Sequence, residues 1–458
     1  MTSPHWSTPA AGQKVFGVEL PDYETLLSCV RCARCLPVCP TYRETLNEVQ
    51  SPRGRLALIR AVEDGRLDLA SSSVEEHLYH CLDCRACNTV CPAGIPIGET
   101  IIAARSAIAQ KRPRPKVQQT ILDFFFADQR RLEFPFFFLR IAQSLGLDRI
   151  ARRLPLPPSL KAMTNMLPSK LGRPLRQRIS SRQFSLTTPV KYAGQANPSP
   201  TRRGEQMRVG FFVNCVMNVA FADTSAATMR LLQRMGCEVV APTSLGCCGA
   251  PQEDQGGKPT ARAFAKRLIA TFEACGDLDA IVTDSAGCGS MMKEYCHLLH
   301  DDPQWAARAQ AFSAKVRDAN EFLGALVKAN PPTHPLAQRV TYHDPCHLLN
   351  TQKVKAQPRE MLRAIPGIEF VELPDSHWCC GSAGIYNITH PDMAHKVLQR
   401  KIDAIASTHA QILVTANPGC MMQIQMGLRE RGLAVKVMHV SDVLEMAYTG
   451  IQGNQVDR

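Results

Sequence analysis

Two four-cysteine runs of identical spacing constrain this chain more than any other feature of its sequence. Each has the pattern C-x2-C-x2-C-x3-C-P. The runs are Cys29, Cys32, Cys35 and Cys39 with Pro40, and Cys81, Cys84, Cys87 and Cys91 with Pro92. In such a run three thiolates surround one iron–sulfur cube, and the fourth cysteine ligates the neighbouring cube. The spacing therefore predicts two [4Fe–4S] clusters with crossed ligation.

The crossed pattern assigns four cysteines to each cluster. One set is Cys29, Cys32, Cys35 and Cys91, and the other is Cys81, Cys84, Cys87 and Cys39. Paired zinc sites are the alternative, although zinc ribbons favour two separated C-x2-C pairs over a four-cysteine run. The segments "SPRGRLALIRAVEDGRLD" and "SSVEEHLYHC" between the runs predict helices. Residues 1–104 are thus predicted to form a helical dicluster ferredoxin-like domain.

The C-terminal half contains an internal repeat marked by adjacent cysteines. The first copy has Cys215, Cys247, Cys248 and Cys288, and the second has Cys346, Cys379, Cys380 and Cys420. In each copy apolar strands such as "RVGFFVNC" and "RVTYHDPC" alternate with helices, which predicts parallel βαβ units. Ligands of such sheets lie beyond the carboxyl ends of the strands. All eight cysteines follow predicted strand ends, so four thiols should converge in each copy.

Adjacent cysteines can face one site only in a tight turn, which the glycine after each pair permits. Four convergent thiolates bind a soft metal, either an iron–sulfur cluster or zinc. A vicinal disulfide and buried structural cysteines are the other interpretations. We expect an iron–sulfur cluster in the second copy, and an iron–sulfur cluster or zinc in the first. His343, Asp344, His347 and His377 flank only the second site. A histidine beside a strand end is more often a hydrogen-bonding residue than a ligand.

The net charge of +12 is concentrated between the two halves of the chain. Residues 105–205 contain 20 Lys or Arg and 5 Asp or Glu, a net charge of +15. This proline-rich stretch, which includes "KRPRPK", "RRLPLPPSLK" and "FFFADQRRLEFPFFFLR", predicts a connector of short helices over 105–206. The repeated α/β domains then occupy 207–330 and 331–458. The connector is interpreted either as a solvated linker or as a patch that docks an acidic partner or anionic lipid.

Other partners and compartments are constrained by what the sequence lacks. No recognisable nucleic-acid-binding module accompanies the basic charge, so no nucleic-acid partner is expected. No run of 18 apolar residues occurs, and the N-terminal "MTSPHWSTPAAGQKVF" does not have the pattern of a secretory signal. The expected location is cytoplasmic, where cysteines stay reduced and serve metal or redox chemistry.

Several motifs together resemble one known family. The paired cysteine runs, "SPRGRLALIR", "CCGSAGIYNITHPDMA" and "VTANPGC" resemble the iron–sulfur subunits of bacterial glycolate oxidase, over nearly the whole chain. The CCG architecture is wider than this enzyme. It is shared by lactate-utilisation proteins, the small subunit of anaerobic glycerol-3-phosphate dehydrogenase and heterodisulfide reductase subunits.

The resemblance implies an oxidoreductase subunit that relays electrons. Flavin-containing dehydrogenase subunits would oxidise glycolate to glyoxylate, and this chain would pass electrons toward quinone while attached peripherally to the inner face of the membrane. Oxidation of lactate or glycerol-3-phosphate, or thiol reduction of the heterodisulfide-reductase type, are the alternatives. This chain has no G-x-G-x-x-G flavin motif, so no catalytic residue for hydroxy-acid oxidation is expected in it. The fullest CCG pattern ends in C-x2-C, whereas Met291 and Gln423 stand at the final positions here.

Overall fold

The structure, a computed structural model, describes residues 23–112, 116–154, 164–181 and 206–451. The chain divides into two compact units. The first comprises the chain up to Leu122 together with Ala250–Ala261 and Gly381–Val397, and the second comprises Asp123–Gly249, Arg262–Cys380 and the chain from Leu398. The division into four domains at 104, 206 and 330 stays a prediction, and helix Ile97–Lys111 runs through the first of these boundaries.

The N-terminal part of the first unit is helical, as predicted. Its helices are α1 Tyr23–Leu27, α2 Pro40–Thr45, α3 Pro52–Glu63, α4 Ser72–Tyr79, α5 Ala86–Val90 and α6 Ile97–Lys111, with a 3-10 turn at Glu48–Gln50. The Ser51 hydroxyl accepts from the Gly54 amide and starts α3, and Ser71 caps α4 in the same way. The apolar faces of α3, α4 and α6 meet in a core that includes Leu56, Leu78 and Ile101.

The connector also forms helices. These are α7 Lys116–Ala127, α8 Gln129–Ser144, α9 Leu147–Arg153 and α10 Leu175–Ser180. Much of "KRPRPK" and "RRLPLPPSLK" lies outside the described residues. No helix within the described ranges is both long enough and apolar enough to cross a membrane.

Two four-stranded sheets follow, one in each copy of the repeat. The strands are β1 Arg208–Phe211, β2 Glu238–Val240, β3 Ala280–Thr283, β4 Val316–Asp318, β5 Arg339–Tyr342, β6 Glu369–Glu372, β7 Ile412–Thr415 and β8 Lys436–His439. Their orders are β2-β1-β3-β4 and β6-β5-β7-β8, and all pairs are parallel. The predicted fold, a helical dicluster domain followed by two parallel α/β CCG domains, is confirmed.

The helices of the two copies follow the same order, although among the described residues the first copy has eight helices and the second has five and a π turn. In the first copy they are α11 Cys215–Ala220, α12 Ala222–Arg234, α13 Ala250–Asp254, α14 Lys258–Glu273, α15 Ala286–Lys293, α16 Tyr295–Leu298, α17 Ala306–Lys315 and α18 Ala319–Ala329. In the second they are α19 Ala356–Arg363, α20 Tyr386–Thr389, α21 Pro391–Ser407, α22 Pro418–Glu430 and α23 Val440–Thr449, with a π turn at His347–Thr351.

One apolar core serves both sheets. Val209 and Phe211 of β1 and Val340 and Tyr342 of β5 are all fully buried in it. Polar contacts between α12 and α23 fix the copies to each other. The Thr228 hydroxyl donates to the Ser441 hydroxyl at 2.8 Å, and Arg230 pairs with Glu445. The two sheets therefore share one core within the second unit.

Candidate metal centres

The two cysteine runs adopt the same unusual backbone. Arg31 and Ala33 in the first run have φ of 53° and 66°, and Asp83 and Arg85 at the matching positions of the second have φ of 47° and 58°. Non-glycine residues rarely adopt these left-handed angles. Two such residues lie among the seven from the first to the third cysteine of each run. They curl the chain so that its three closely spaced thiols face inward. The C-x2-C-x2-C spacing thus encodes a loop that surrounds one point.

The structure brings the fourth cysteine of each run to the other run. Cys39 lines one pocket with Cys81, Cys84 and Cys87. A second pocket is lined by Cys29, Cys32, Cys35 and Cys91. In each case four cysteines line one space that is partly open to solvent, and they match the donor set of a [4Fe–4S] cube. The predicted grouping of cysteines is therefore present in the fold, while ligation itself remains a proposal.

A buried arginine supports the wall of the first of these pockets. Arg55 is 1 % exposed, and its guanidinium donates to the Thr41 hydroxyl at 3.1 Å and to the Gln50 side-chain oxygen at 2.9 Å. The Thr41 hydroxyl lies 3.3 Å from Cys39 Sγ. This network orients Cys39, and its signal in the sequence was the "SPRGR" motif that contains Arg55.

Arg105 orients the second run from helix α6. Its guanidinium donates to the carbonyls of Leu78 and Cys81, which lie at the end of α4 and the start of the loop. It also donates to the Asp254 carbonyl at 2.9 Å, and the Tyr79 hydroxyl donates to the Gln255 carbonyl at 3.3 Å. These contacts attach the segment after the first CCG motif to the cluster loop. Nothing in the sequence distinguished Arg105 from the other arginines nearby.

The segment after the second CCG motif contacts the same end of α4. The Tyr386 hydroxyl donates to the His80 carbonyl at 3.1 Å, and the rings of His80 and His390 lie 4.8 Å apart. Gly381 has φ of +89°, and a Cβ there would lie 2.4 Å from the Ala394 carbonyl oxygen. Only glycine fits this position, which explains why the cysteine pair is followed by one.

The four cysteines of the first copy converge in a buried crevice. Cys247 follows β2, and contacts with Cys215 and Cys248, together with burial, raise its thiol pKa well above the usual value. A contact with Cys248 and burial raise the pKa of Cys288 in the same way. Thiols held this close repel one another once ionised, so a soft cation that neutralises them would stabilise the group. The donor set fits a four-thiolate metal site.

The second copy brings its cysteines together in the same manner. Cys380 Sγ and Cys420 Sγ are 3.3 Å apart. Contact with Cys379 lowers the pKa of Cys380, but the contact with Cys420 and burial outweigh it, and Cys346 adds to the rise, so the pKa lies well above normal. All four predicted cysteines of this copy therefore interact. Their donor set also fits a soft-metal centre.

His343 is the one predicted polar neighbour that faces the thiols. It is fully buried, and one of its ring nitrogens lies within 4.8 Å of both Cys380 Sγ and Cys420 Sγ. Burial lowers its pKa well below the usual value, and the charge of Lys401 adds to this effect. The imidazole is therefore neutral in the fold. His343 was expected to flank this site in a hydrogen-bonding role, and the structure places its ring beside two of the thiols.

The other polar neighbours behave differently. Asp344 accepts two hydrogen bonds from the Arg359 guanidinium, both at 2.8 Å, and so forms a buried ion pair. His347 is half-buried and His377 is exposed. Lys401, which the sequence did not single out, is fully buried and donates to the carbonyls of Asp375 and Ser376, just before the cysteine pair. Burial lowers its pKa to about 8, although the charges of the nearby Cys380 and Cys379 act to raise it.

Comparisons with known proteins agree with this arrangement. Residues 25–95 match the model of a 4Fe-4S dicluster domain, and 209–293 and 340–425 each match a cysteine-rich domain named CCG. The chain is 34% identical over 238 residues to lactate utilization protein A of Geobacillus kaustophilus, covering 52% of this chain and 98% of that protein.

Two relatives match over almost their whole length. The probable glycolate oxidase iron-sulfur subunit of Bacillus subtilis is 39% identical over 440 residues, which is 92% of this chain and 94% of that protein. The glycolate oxidase iron-sulfur subunit of Escherichia coli is 30% identical over 428 residues, with the same coverage. With its dicluster and paired CCG domains, the chain belongs to the family of glycolate oxidase iron–sulfur subunits and is an electron-transferring component of an oxidoreductase.

Proposed function

We propose that this chain carries electrons from a flavin-containing partner that oxidises glycolate to glyoxylate toward quinone at the inner face of the membrane. Its support is the set of four sites at which four thiols converge, in a family named for glycolate oxidation. Bound iron–sulfur clusters supply one-electron transfer between a two-electron donor and a two-electron acceptor. The cysteines hold the clusters, and Arg55, Arg105 and Lys401 hold the loops that carry those cysteines.

All sixteen predicted cysteines are assigned to metal in this proposal. Those of the first unit hold two [4Fe–4S] clusters in the crossed pattern, those of the second CCG copy hold a further iron–sulfur cluster, and those of the first copy hold a cluster or zinc. Anaerobic purification followed by iron, sulfide and zinc analysis tests the assignment. A chain that contained zinc and no iron would contradict the electron-transfer role.

Crossed ligation has its own test in Cys39→Ala. Because Cys39 lines the pocket of Cys81, Cys84 and Cys87, its loss should remove about four iron atoms and the EPR signal of that cluster. Cys91→Ala is the matched variant, and should affect the cluster of Cys29, Cys32 and Cys35 instead. Loss of the opposite cluster in each variant would show that each run binds its own cube.

Helix α8 supports the membrane part of the proposal because its polar side faces the protein. Gln129 and Glu133 are 1 % and 5 % exposed, and Glu133 accepts hydrogen bonds from Arg176, Gln177 and Asn218. Burial alone would raise the pKa of Glu133, but these hydrogen bonds lower it below the usual value. Farther along, Gln143 bonds the Pro168 carbonyl and the Leu171 amide. Glu133 and Gln143 thus fix the polar stripe of α8 to neighbouring parts of the second unit.

The opposite stripe of α8 is apolar and exposed. Nine of the 15 exposed large hydrophobic side chains among the described residues lie between Phe124 and Leu154. On α8 they follow helical spacing, at Phe134, Phe137, Phe138, Ile141 and Leu145, with exposures of 42–67%. A helix of this length with one apolar side turned to solvent is typical of an interfacial membrane contact.

The charges around this apolar surface select anionic lipid as its partner. Arg130, Arg131 and Arg149 are exposed, whereas no carboxylate described between Phe124 and Leu154 is exposed. The Arg131 guanidinium lies 4.2 Å from the centroid of the Phe124 ring, so cation and ring share one surface. Anionic headgroups attract such arginines while the acyl region accepts the phenylalanines. This surface, Phe124–Leu154, would bring the chain to the membrane in which quinone dissolves.

Vesicle binding tests this surface. Phe134→Ser/Phe138→Ser should weaken binding to vesicles of phosphatidylglycerol and phosphatidylcholine by roughly 10–100-fold, because two exposed rings lose their apolar burial. Ile388→Ser is the matched control, since Ile388 is 65% exposed, like Phe134 at 66%. Wild-type binding should fall with salt and be weak to phosphatidylcholine alone. Failure to bind vesicles, together with loss of flavin-subunit binding in the double variant, would make the surface a protein interface.

Lactate oxidation is the second candidate, favoured by the match to lactate utilization protein A. Substrate-dependent bleaching of the iron–sulfur absorbance in the complex purified with its flavin subunits separates the two. Bleaching by lactate and not by glycolate would assign this alternative. A thiol reductase would instead be oxidised by a disulfide in the absence of any flavin partner.

A further inference from the structure

The buried imidazole of His343 has the properties of a metal ligand. His343 follows β5 directly and is 0% exposed. Neither ring nitrogen has a hydrogen-bond partner among the described residues, although the backbone of Ser376 lies close to the ring. A buried polar group without a partner costs roughly 1–3 kcal/mol. The fold nevertheless holds this ring in place, with a nitrogen near Cys380 Sγ and Cys420 Sγ.

The first copy shows what the fold requires at this position when no nitrogen is needed. Counting from the aligned strands "RVGFFVNC" and "RVTYHDPC", the counterpart of His343 is Phe212. Phe212 is also 0% exposed, so a ring fills the space in both copies. Packing alone is satisfied by phenylalanine. The imidazole in the second copy therefore adds a donor atom to a site whose volume an apolar ring already fits.

The donor type matches the rest of the crevice. Neutral imidazole and thiolate are both ligands of zinc and of iron, and they occur together in mixed sites. In proteins, a histidine ligand is commonly oriented by a backbone carbonyl or carboxylate near its other nitrogen. The Ser376 backbone close to the ring is the candidate for such a partner. The second crevice thus offers four thiols and one imidazole, and the first offers four thiols.

We propose that a ring nitrogen of His343 ligates the metal centre of the second CCG copy beside the cysteine thiolates. The inference rests on the proposed function only in requiring a metal in that crevice. Where the neutral nitrogen takes a coordination position that a thiolate would otherwise fill, the centre carries less negative charge, and such histidine-for-cysteine ligation raises the reduction potential of iron–sulfur centres. His343 would make the second centre more easily reduced than the first.

The test uses the full chain labelled with ¹⁵N-histidine, purified anaerobically and reduced with dithionite, without substrate or partner. ENDOR spectra of the second centre should show a histidine nitrogen coupling. It should disappear in His343→Phe, which carries the residue of the first copy, and in His343→Cys, which returns a soft donor to the site. The control His347→Phe, four residues along, should keep the coupling. The reduction potential should fall in both His343 variants and stay unchanged in the control.

The possible failures are distinct. A wild-type centre with metal but no histidine coupling, or a coupling that persists in His343→Phe, overturns this inference and leaves the electron-transfer proposal standing. A crevice without metal overturns both for this site. If the metal is zinc, X-ray absorption replaces ENDOR. A nitrogen scatterer at about 2.0–2.1 Å that is lost in His343→Phe supports the ligand, and sulfur alone at about 2.3 Å overturns it.

Discussion

The two CCG copies share one backbone plan but differ in the side chains around their thiols. At three corresponding buried positions the first copy has Phe212, Val213 and Leu268, and the second has His343, Asp344 and Lys401. Both copies place cysteines after the same strands of identically ordered sheets. Topology therefore accounts for the convergence of four thiols. Topology does not require the polar residues of the second copy. They would tune the reduction potential of a metal bound there, whereas the first copy has apolar residues at these positions.

The largest expected difference between the copies is in the cysteine pairs. Cys380→Ser should reduce electron delivery to quinone to background, while the clusters of the first unit remain reducible by the flavin partner. Cys248→Ser should mainly lower the yield of folded protein, because the first copy lacks the histidine, aspartate and lysine of the second and so suits a structural metal. Quinone reduction and EPR on both variants measure the contrast. If Cys248→Ser lost electron delivery and Cys380→Ser kept it, the roles would be reversed.

A smaller effect is expected from the buried lysine. Lys401→Met removes a cation that donates to two carbonyls before the Cys379–Cys380 turn. Loss of positive charge disfavours the reduced, more negative centre, so its potential should fall and electron delivery should slow by about 10-fold. Leu268→Met is the matched change in the first copy and should leave both quantities unaltered. EPR-monitored redox titration decides, and an unchanged potential would make Lys401 a purely structural residue.

The smallest expected difference concerns the helix caps after the last strands. In the first copy the Asp318 carboxylate accepts from the Asn320 amide at 2.8 Å, and burial raises its pKa to about 6. In the second, His439 Nδ1 accepts from the Ser441 amide at 3.1 Å, and burial lowers its pKa to about 4. The two caps therefore respond to pH in opposite directions.

Linkage gives the sign for each cap. The contribution of Asp318 to the free energy of unfolding is fully present below its unfolded-state pKa of 3.8, and it is lost as pH rises through the folded-state pKa of about 6. The contribution of His439 is fully present above its unfolded-state pKa of 6.5, and it is lost as pH falls through the folded-state pKa of about 4. As pH rises from 5 to 7, the free energy of unfolding of Asp318→Asn should increase relative to wild type by about 1 kcal/mol. Over the same range the free energy of unfolding of His439→Asn should fall further below that of wild type, also by about 1 kcal/mol. Urea midpoints across this range measure both, and parallel trends would contradict the assignment.

The sequence predicted the positions of the cysteines better than the side chains around them. Strand ends and paired glycines are local signals, and they were sufficient to place all eight CCG cysteines at the sheet edges. Strands β4 and β8 were missed because "VRD" and "KVMH" are too short to show a period. The connector was predicted as short helices. The outward orientation of the apolar stripe of α8 could not be predicted, because it depends on where the polar residues of the helix find partners.

Side-chain environments were the least predictable feature. Asp344 and His343 are adjacent in the sequence and were grouped together, yet just beyond the end of β5 their side chains meet different partners. One pairs with Arg359 and the other meets the thiols. Lys401 lies on α21, 21 residues after Cys380, so its contact with the turn exists only once the helix packs back on the sheet. Such long-range contacts have no signature in a single sequence.

The first unit is discontinuous, and this has a consequence for biosynthesis. The contacts that Arg105 and Tyr79 make with Asp254 and Gln255, and His80 with Tyr386, join positions far apart along the chain. A ribosome releases the cysteine runs first, long before their last packing partners emerge. The helical module therefore cannot complete its native contacts until translation has passed Val397. Until then the nascent chain exposes the back of one cluster loop, so folding of the electron-carrying module is coupled to synthesis of both CCG copies.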